Sequence, residues 1–288
     1  MSELEVILLG ALQGVTEFLP ISSSGHLKLG AALLGIKVPE LLFDITLHVG
    51  SLMAVLLIYR KALAEIFRDL LKGAKMLARG ESWRQALALE GNQLSLFIVL
   101  ATIPTGVIGL FLDKLLEGPT ITTAVVGAAL IVNGGILLMS RRAQERFEAR
   151  PEDTSGGWLN LWGLGLGSVL LIGVAQGIAV MPGLSRAGLT ITVCLLLGVE
   201  RENAARFSFL LSIPAILGAL VLKFDPSLFT GETARLANYA IGAFVAFLVG
   251  VFSLVLLIQM LRKAQFHHFS WYCFAVGASA ILFTLGTI

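Results

Sequence analysis

Gln13, Glu17, Ser22, Ser23, Ser24 and His26 fall close together near the start of the chain, and Ser185, Arg186 and Thr190 stand together far downstream. These residue types suit phosphate chemistry. A carboxylate assisted by an amide oxygen can hold a hard divalent cation. The planar fork of arginine matches phosphate oxygens in a bidentate way. A serine hydroxyl or a histidine nitrogen can attack phosphorus, and the histidine can equally serve as acid or base.

The spacing says how the backbone presents them. Gln13 and Glu17 are four apart, which puts both on one face of a helix. Pro20 has no amide hydrogen and disfavours helix at Leu19, so the helix should stop there. Ser22, Ser23 or Ser24 can then cap a second helix, leaving hydroxyls and backbone N–H groups around one point. Such a helix start binds phosphate readily, and His26 falls in its first turn. The second cluster repeats the device. Met181-Pro182-Gly183 ends one helix, Ser185 is the expected cap of the next, and Arg186 and Thr190 share a face four residues apart. An arginine in the first turn opposes the helix dipole unless an anion lies nearby.

The two clusters are copies. Gln13 to His26 and Gln176 to Leu189 align without a gap, with Gln, Gly, a β-branched residue, Ser and Gly recurring and a proline near the centre of each. A duplicated helix break in corresponding places of two halves points to a binding site at the membrane midplane. Each polar residue also has a purely structural reading. Gln13 could join two helices, Thr190 could bond its own backbone, His26 could be a buried neutral ring, and Glu17 with Arg186 could be a structural ion pair. Their joint occurrence in two copied breaks favours function. Asp44 and His48, also four apart, either support the site or sit at the membrane edge.

The surroundings are hydrocarbon. The chain has 288 residues, 56% of them apolar and 14% charged, with a mean hydropathy of +0.87. Soluble domains carry about 25% charged residues, so this is an all-α integral membrane protein. A net charge of +2 gives no reason to expect nucleic acid. Ionisable groups in such surroundings are functional suspects. Cys194 and Cys273 lie in separate apolar stretches and read as small buried hydrophobes. The acidic start, Met1-Ser2-Glu3-Leu4-Glu5, does not look like a signal peptide.

Six spans of suitable length are expected near 44–60, 92–112, 119–139, 204–222, 237–261 and 270–287. Two further apolar regions, about 4–35 and 158–199, are each interrupted midway and suit broken or re-entrant hairpins. Lys and Arg gather in 60–89 and 140–157, which therefore face the cytoplasm, while 36–43, 113–118 and 223–236 are sparse. The first hairpin region then exits outside and the second inside, an inverted-topology repeat. The expected units are about 1–139 and 158–288, joined by the basic loop 140–157 within a single polytopic domain. The stretch 61–89 alternates apolar and basic residues and reads equally as an amphipathic helix on the cytoplasmic surface or as a solvated linker helix.

At these residues the chain resembles the bacterial undecaprenyl-diphosphate phosphatase family, also called the bacitracin-resistance family. The resemblance covers essentially the full length. Its marks are a Glu- or Gln-led GxxEFLPxSSxGH, met by Gln13 to His26, and PGxSR followed by GxT, met by Pro182 to Thr190. It implies hydrolysis of a polyprenyl diphosphate lipid, undecaprenyl diphosphate, to the monophosphate that carries cell-wall precursors, in the bacterial cytoplasmic (inner) membrane. It also implies a divalent cation, Mg²⁺ or Ca²⁺, and bacitracin resistance; a homodimer is compatible with it. By motif position the metal ligands fall on Glu17 and Gln13, and catalytic groups on Glu17, Ser23, His26 and Arg186. Phosphate contacts fall on Ser22, Ser185, Arg186 and Thr190. Ser24, at the motif's variable place, is a further phosphate-binding candidate from the helix start alone, and Asp44 and His48 remain either supports of the site or residues of the membrane edge. There are two departures. Gln13 stands where many members have Glu, and Ala187 replaces a common Ser. Whether His26 or Ser23 is the nucleophile stays open at this level. A transporter or flippase of the same lipid is the rival reading, since broken helices meeting at the midplane also build transporters. It needs binding groups but no nucleophile and base. A structural scaffold would tolerate alanine throughout both motifs.

Overall fold

A computed structural model describes residues 2–33, 35, 41–115, 121–148, 163–223 and 233–286. Among them all regular structure is helical. In chain order the α-helices are α1 (Glu3–Phe18), α2 (Ser23–Leu33), α3 (Leu41–Ile58), α4 (Arg60–Ala78), α5 (Trp83–Leu87), α6 (Glu90–Leu115), α7 (Thr123–Glu148), α8 (Leu166–Ile178), α9 (Arg186–Leu196), α10 (Arg201–Leu222), α11 (Thr233–Arg262) and α12 (Phe269–Gly286).

Five of these elements are long and apolar enough to span a bilayer: α6, most of α7, α10, most of α11, and α12 with the turn before it. The sixth expected span is α3, which bends by 73° into α4 at Tyr59. The helix α4 is the expected amphipathic element. Leu63 and Ile66 pack on the core while Arg68, Lys72 and Lys75 stay exposed. On α6, Val99, Ile103, Val107 and Phe111 recur every fourth residue as an exposed stripe, the face that meets lipid. The start of the 140–157 stretch is not a loop. Without Gly or Pro to stop it, α7 continues to Glu148, with Arg141 and Glu145 paired one turn apart at 2.7 Å. Residues 149–162 lie outside the described part.

The four pieces of the two broken regions are short: 16 residues in α1, 11 in α2, 13 in α8 and 11 in α9. They are packed in a crossed arrangement. The first, α1, lies along α11 from the far half of the chain, and α8 lies along α6 from the near half. Small residues one turn apart make both approaches possible. A side chain at Gly10 or Gly14 would strike the backbone of Gly242 or Ala246 on α11, and one at Gly173 would strike Ala101 on α6. Backbones that approach this closely gain dispersion contacts, the main driving force between helices in lipid. Between the two arms, α7 and α12 run against each other. A buried cluster through Phe18, Leu137, Ile172, Ile191 and Phe209 fills the space around the broken tips.

Candidate functional site: two helix breaks that meet

The first break forms as Pro20 requires. Leu19 turns to an extended conformation (φ −65°, ψ 144°) and α1 ends. Ser22 then adopts a left-handed φ of 72°, uncommon for a residue with a side chain. Its hydroxyl oxygen accepts from the Gly25 amide at 3.3 Å, so Ser22 is the serine that caps α2. In the second break Gly183 takes φ 101°, at a point where a side chain would also press on α7. Ser185 caps α9 by accepting from the Gly188 amide at 3.1 Å.

The two breaks touch. The Gly183 amide donates to the Ser22 hydroxyl at 3.0 Å, and the Arg186 guanidinium donates to Glu17 Oε1. The other oxygen of Glu17 accepts from the Ser23 hydroxyl at 2.6 Å and from Gln13 Nε2 at 3.1 Å. His48 Nε2 lies 3.9 Å from the same oxygen. Glu17 is only 8% exposed, so a carboxylate with these partners is held by charge-assisted bonds in surroundings of low polarity.

The guanidinium is steadied from its other side. Two carbonyls of α10 meet side chains here: that of Ser212 accepts from Arg186 Nη1 at 3.4 Å, and the neighbouring Leu211 carbonyl accepts from Gln176 Nε2 at 3.4 Å.

An open cleft of about 980 Å³, mouth included, runs between α3, the two breaks and α10. Glu17, Ser22, Ser23, Ser24, Asp44, His48, Ser185 and Arg186 supply polar groups to its lining. Ala179, Leu184, Ile216 and Leu220 supply apolar ones, and Lys223 lines it too. An anionic headgroup on a hydrocarbon chain suits a cleft lined by both kinds of side chain. Seryl oxygen, carboxylate and arginine around one cavity can carry out phosphoryl transfer.

Three of the expected residues lie off the cleft lining. His26 is 6% exposed and turned away, its Nδ1 2.8 Å from the Ser22 carbonyl and its Nε2 2.9 Å from the Tyr272 hydroxyl. A carbonyl can only accept, so Nδ1 carries the hydrogen and Nε2 accepts from tyrosine in the neutral ring. Thr190 bonds its own helix at Arg186 O, 2.7 Å away, and meets Ser208. Gln13 lies one turn behind Glu17, and its amide oxygen is buried with no hydrogen-bond partner. Asp44 and His48, expected behind the site or at the membrane edge, border the cleft itself.

Sequence reasoning passed over Asn133 and Tyr272, and set Gln176 at the head of the second copy without a role of its own. Asn133 on α7 is fully buried and ties both breaks together: its Nδ2 donates to Pro20 O at 2.8 Å, and its Oδ1 accepts from the Ser185 amide at 3.0 Å. The same Nδ2 lies 3.3 Å from the thiol sulfur of Cys273, which like Cys194 is buried and free. A lone asparagine inside an expected apolar span was the available signal. Asn133→Leu should strand an amide and a carbonyl in the interior, each costing about 1–3 kcal/mol. Thermal unfolding in detergent should show the loss.

An α-helical membrane protein with an acid, a hydroxyl and a guanidinium converging in one cleft belongs among polytopic proteins that handle anionic lipids. The family model for bacitracin resistance protein BacA matches residues 6–279. Undecaprenyl-diphosphatase of Desulforapulum autotrophicum is 40% identical over 280 residues, 96% of either chain. That of Desulfosudis oleivorans is 40% identical over 277 residues, 96% of this chain and 97% of its own. That of Alkaliphilus metalliredigens is 37% identical over 287 residues, 99% of this chain and all of its own. The chain belongs to the BacA bacitracin resistance family.

Proposed function

We propose that the protein hydrolyses undecaprenyl diphosphate to undecaprenyl phosphate and phosphate, acting from the bacterial inner membrane to recycle the lipid that carries cell-wall precursors. The observation that carries the mechanism is the Ser23 hydroxyl, which lines the cleft and donates to a carboxylate paired with Arg186. Glu17 takes the Ser23 proton as Ser23 Oγ bonds to the terminal phosphorus. The bond from that phosphorus to the bridging oxygen breaks, and Glu17 passes the proton to the departing prenyl phosphate. Arg186 holds the phosphoryl oxygens with donors left over from Glu17 and Ser212, because the fork has five N–H groups. Water then replaces Ser23 on phosphorus.

The donors suit a hard cation carried in with the substrate. Among the described residues no three His, Cys, Asp or Glu side chains gather as a metal cage. Mg²⁺, however, is commonly held by one or two carboxylates plus substrate phosphates. Glu17 and the unpartnered Gln13 oxygen would hold Mg²⁺ or Ca²⁺, which would neutralise diphosphate charge. The organisation into two inverted repeats, about 1–139 and 158–288, belongs to the same reading. The crossed packing of α1 on α11 and α8 on α6 supports it.

Purified protein in detergent should release phosphate from farnesyl diphosphate, and Glu17→Gln should lower that release by about a hundredfold or more. A wild-type protein that binds the lipid and releases no phosphate would instead be the transporter.

A further inference from the structure

The two copied motifs leave matching loose ends. Gln13 and Gln176 occupy equivalent places in the gapless alignment, and each has a buried amide oxygen without a hydrogen-bond partner. A buried acceptor without a donor is costly, on the order of 1–3 kcal/mol. Gln13 stands against Glu17 and can meet a cation there. Gln176 stands elsewhere. It is 2% exposed, in the last turn of α8, and is among the residues that line the cleft.

Its amide nitrogen is spoken for by Thr105 Oγ1 at 3.3 Å and Leu211 O at 3.4 Å. The carbonyl next along the chain, Ser212 O, is the one that steadies Arg186. Gln176 and the guanidinium thus bond consecutive carbonyls of α10, and both side chains line the one cleft. The diphosphate cannot satisfy the orphan oxygen, because ionised phosphate oxygens accept and do not donate. Nor can a cation fill the place as well as it fills Gln13's, since among the described residues Gln176 bonds Thr105 and Leu211 and no carboxylate. The donor that hydrolysis itself brings to this place is water.

We propose that Gln176 orients the attacking water, its Oε1 accepting one of that water's hydrogens. This rests on the hydrolase reading above. In the second half of the reaction the water oxygen bonds to phosphorus and the bond to Ser23 Oγ breaks. One water proton passes through Glu17 to Ser23 Oγ, and the other leaves with the phosphate. A glutamine positioning a nucleophilic water beside a phosphate-binding cation is a recurrent solution in phosphoryl transfer.

The test compares Gln176→Leu and Gln176→Met, which lack the acceptor, with Gln176→Glu, which keeps one. Turnover of farnesyl diphosphate is measured beside the affinity for its non-hydrolysable methylene-bridged analogue. The acceptor-free variants should lose on the order of a hundredfold in kcat, with analogue affinity within about twofold of wild type, because water and not substrate lost a contact. Gln176→Glu should recover at least about tenfold of the loss. Wild-type kcat in either acceptor-free variant overturns the proposal. So does a fall in analogue affinity that matches the fall in kcat, which would make Gln176 a substrate or packing contact. If the wild-type protein itself releases no phosphate, the hydrolase reading fails first, and that outcome is seen without any variant.

Discussion

Arg186→Ala should abolish phosphate release, by about a thousandfold or more, the range seen when an arginine that stabilises transferring phosphoryl charge is removed. The effect has two separable parts. Arg186 neutralises Glu17 inside the protein, so removing it alone leaves a buried carboxylate without its counter-charge, at about 3–5 kcal/mol. Lost activity in the single variant could therefore reflect unfolding. Glu17→Gln/Arg186→Met removes both charges and should recover most of the thermal stability in detergent, while remaining inactive. Arg186→Lys keeps the charge but not the planar fork, and should stay at least about tenfold below wild type. Near-normal release from the lysine variant would show that charge alone suffices and would remove the bidentate clamp from the mechanism.

Ser23→Ala should be comparably severe, about ten thousandfold, and should leave folding intact. The contrast with its neighbour is the informative part. Ser22 is buried and its oxygen accepts from both Gly25 and Gly183. Ser22→Ala should therefore cost about 1–3 kcal/mol of stability, with activity reduced only as the two breaks loosen. Nucleophile identity can be read from a quench during turnover of substrate labelled in the terminal phosphate. Phosphoserine survives acid and is lost in alkali; phosphohistidine behaves in the opposite way. Acid-stable label at Ser23 is expected, because both nitrogens of His26 are committed to Ser22 O and Tyr272, away from the cleft. Alkali-stable label at His26 would reverse the assignment.

Local rules carried much of this architecture. Pro20 and Pro182 mark the breaks, serine caps follow where caps are needed, and spans appear where apolar runs are long enough. The Gln13–Glu17 spacing announced a shared face, and the two bond each other. What local rules do not carry is direction across the molecule. His26 lies in the first turn beside the serines, yet which way its ring faces depends on Tyr272, more than two hundred residues later. Thr190 shares a face with Arg186, but Ser208 on α10 and its own backbone absorb its hydroxyl. Spacing alone gives Asn133 no role, because its two partners, Pro20 and Ser185, come together only in the folded protein. Even the partner of α1 is invisible from spacing, since Gly10 and Gly14 show that a backbone comes close without saying whose.

Because α1 beds against α11 and not against anything near it in the chain, the protein has an awkward birth. Helix α1 is made more than two hundred residues before α11 and must wait in the membrane, with an ionisable acid aboard, until that partner follows. Its counter-charge emerges late and its helical bed later still. A chain halted before residue 233 would have made every group that lines the cleft and still lack the helix that α1 beds against, leaving the face with Gly10 and Gly14 open to proteases that police the bilayer.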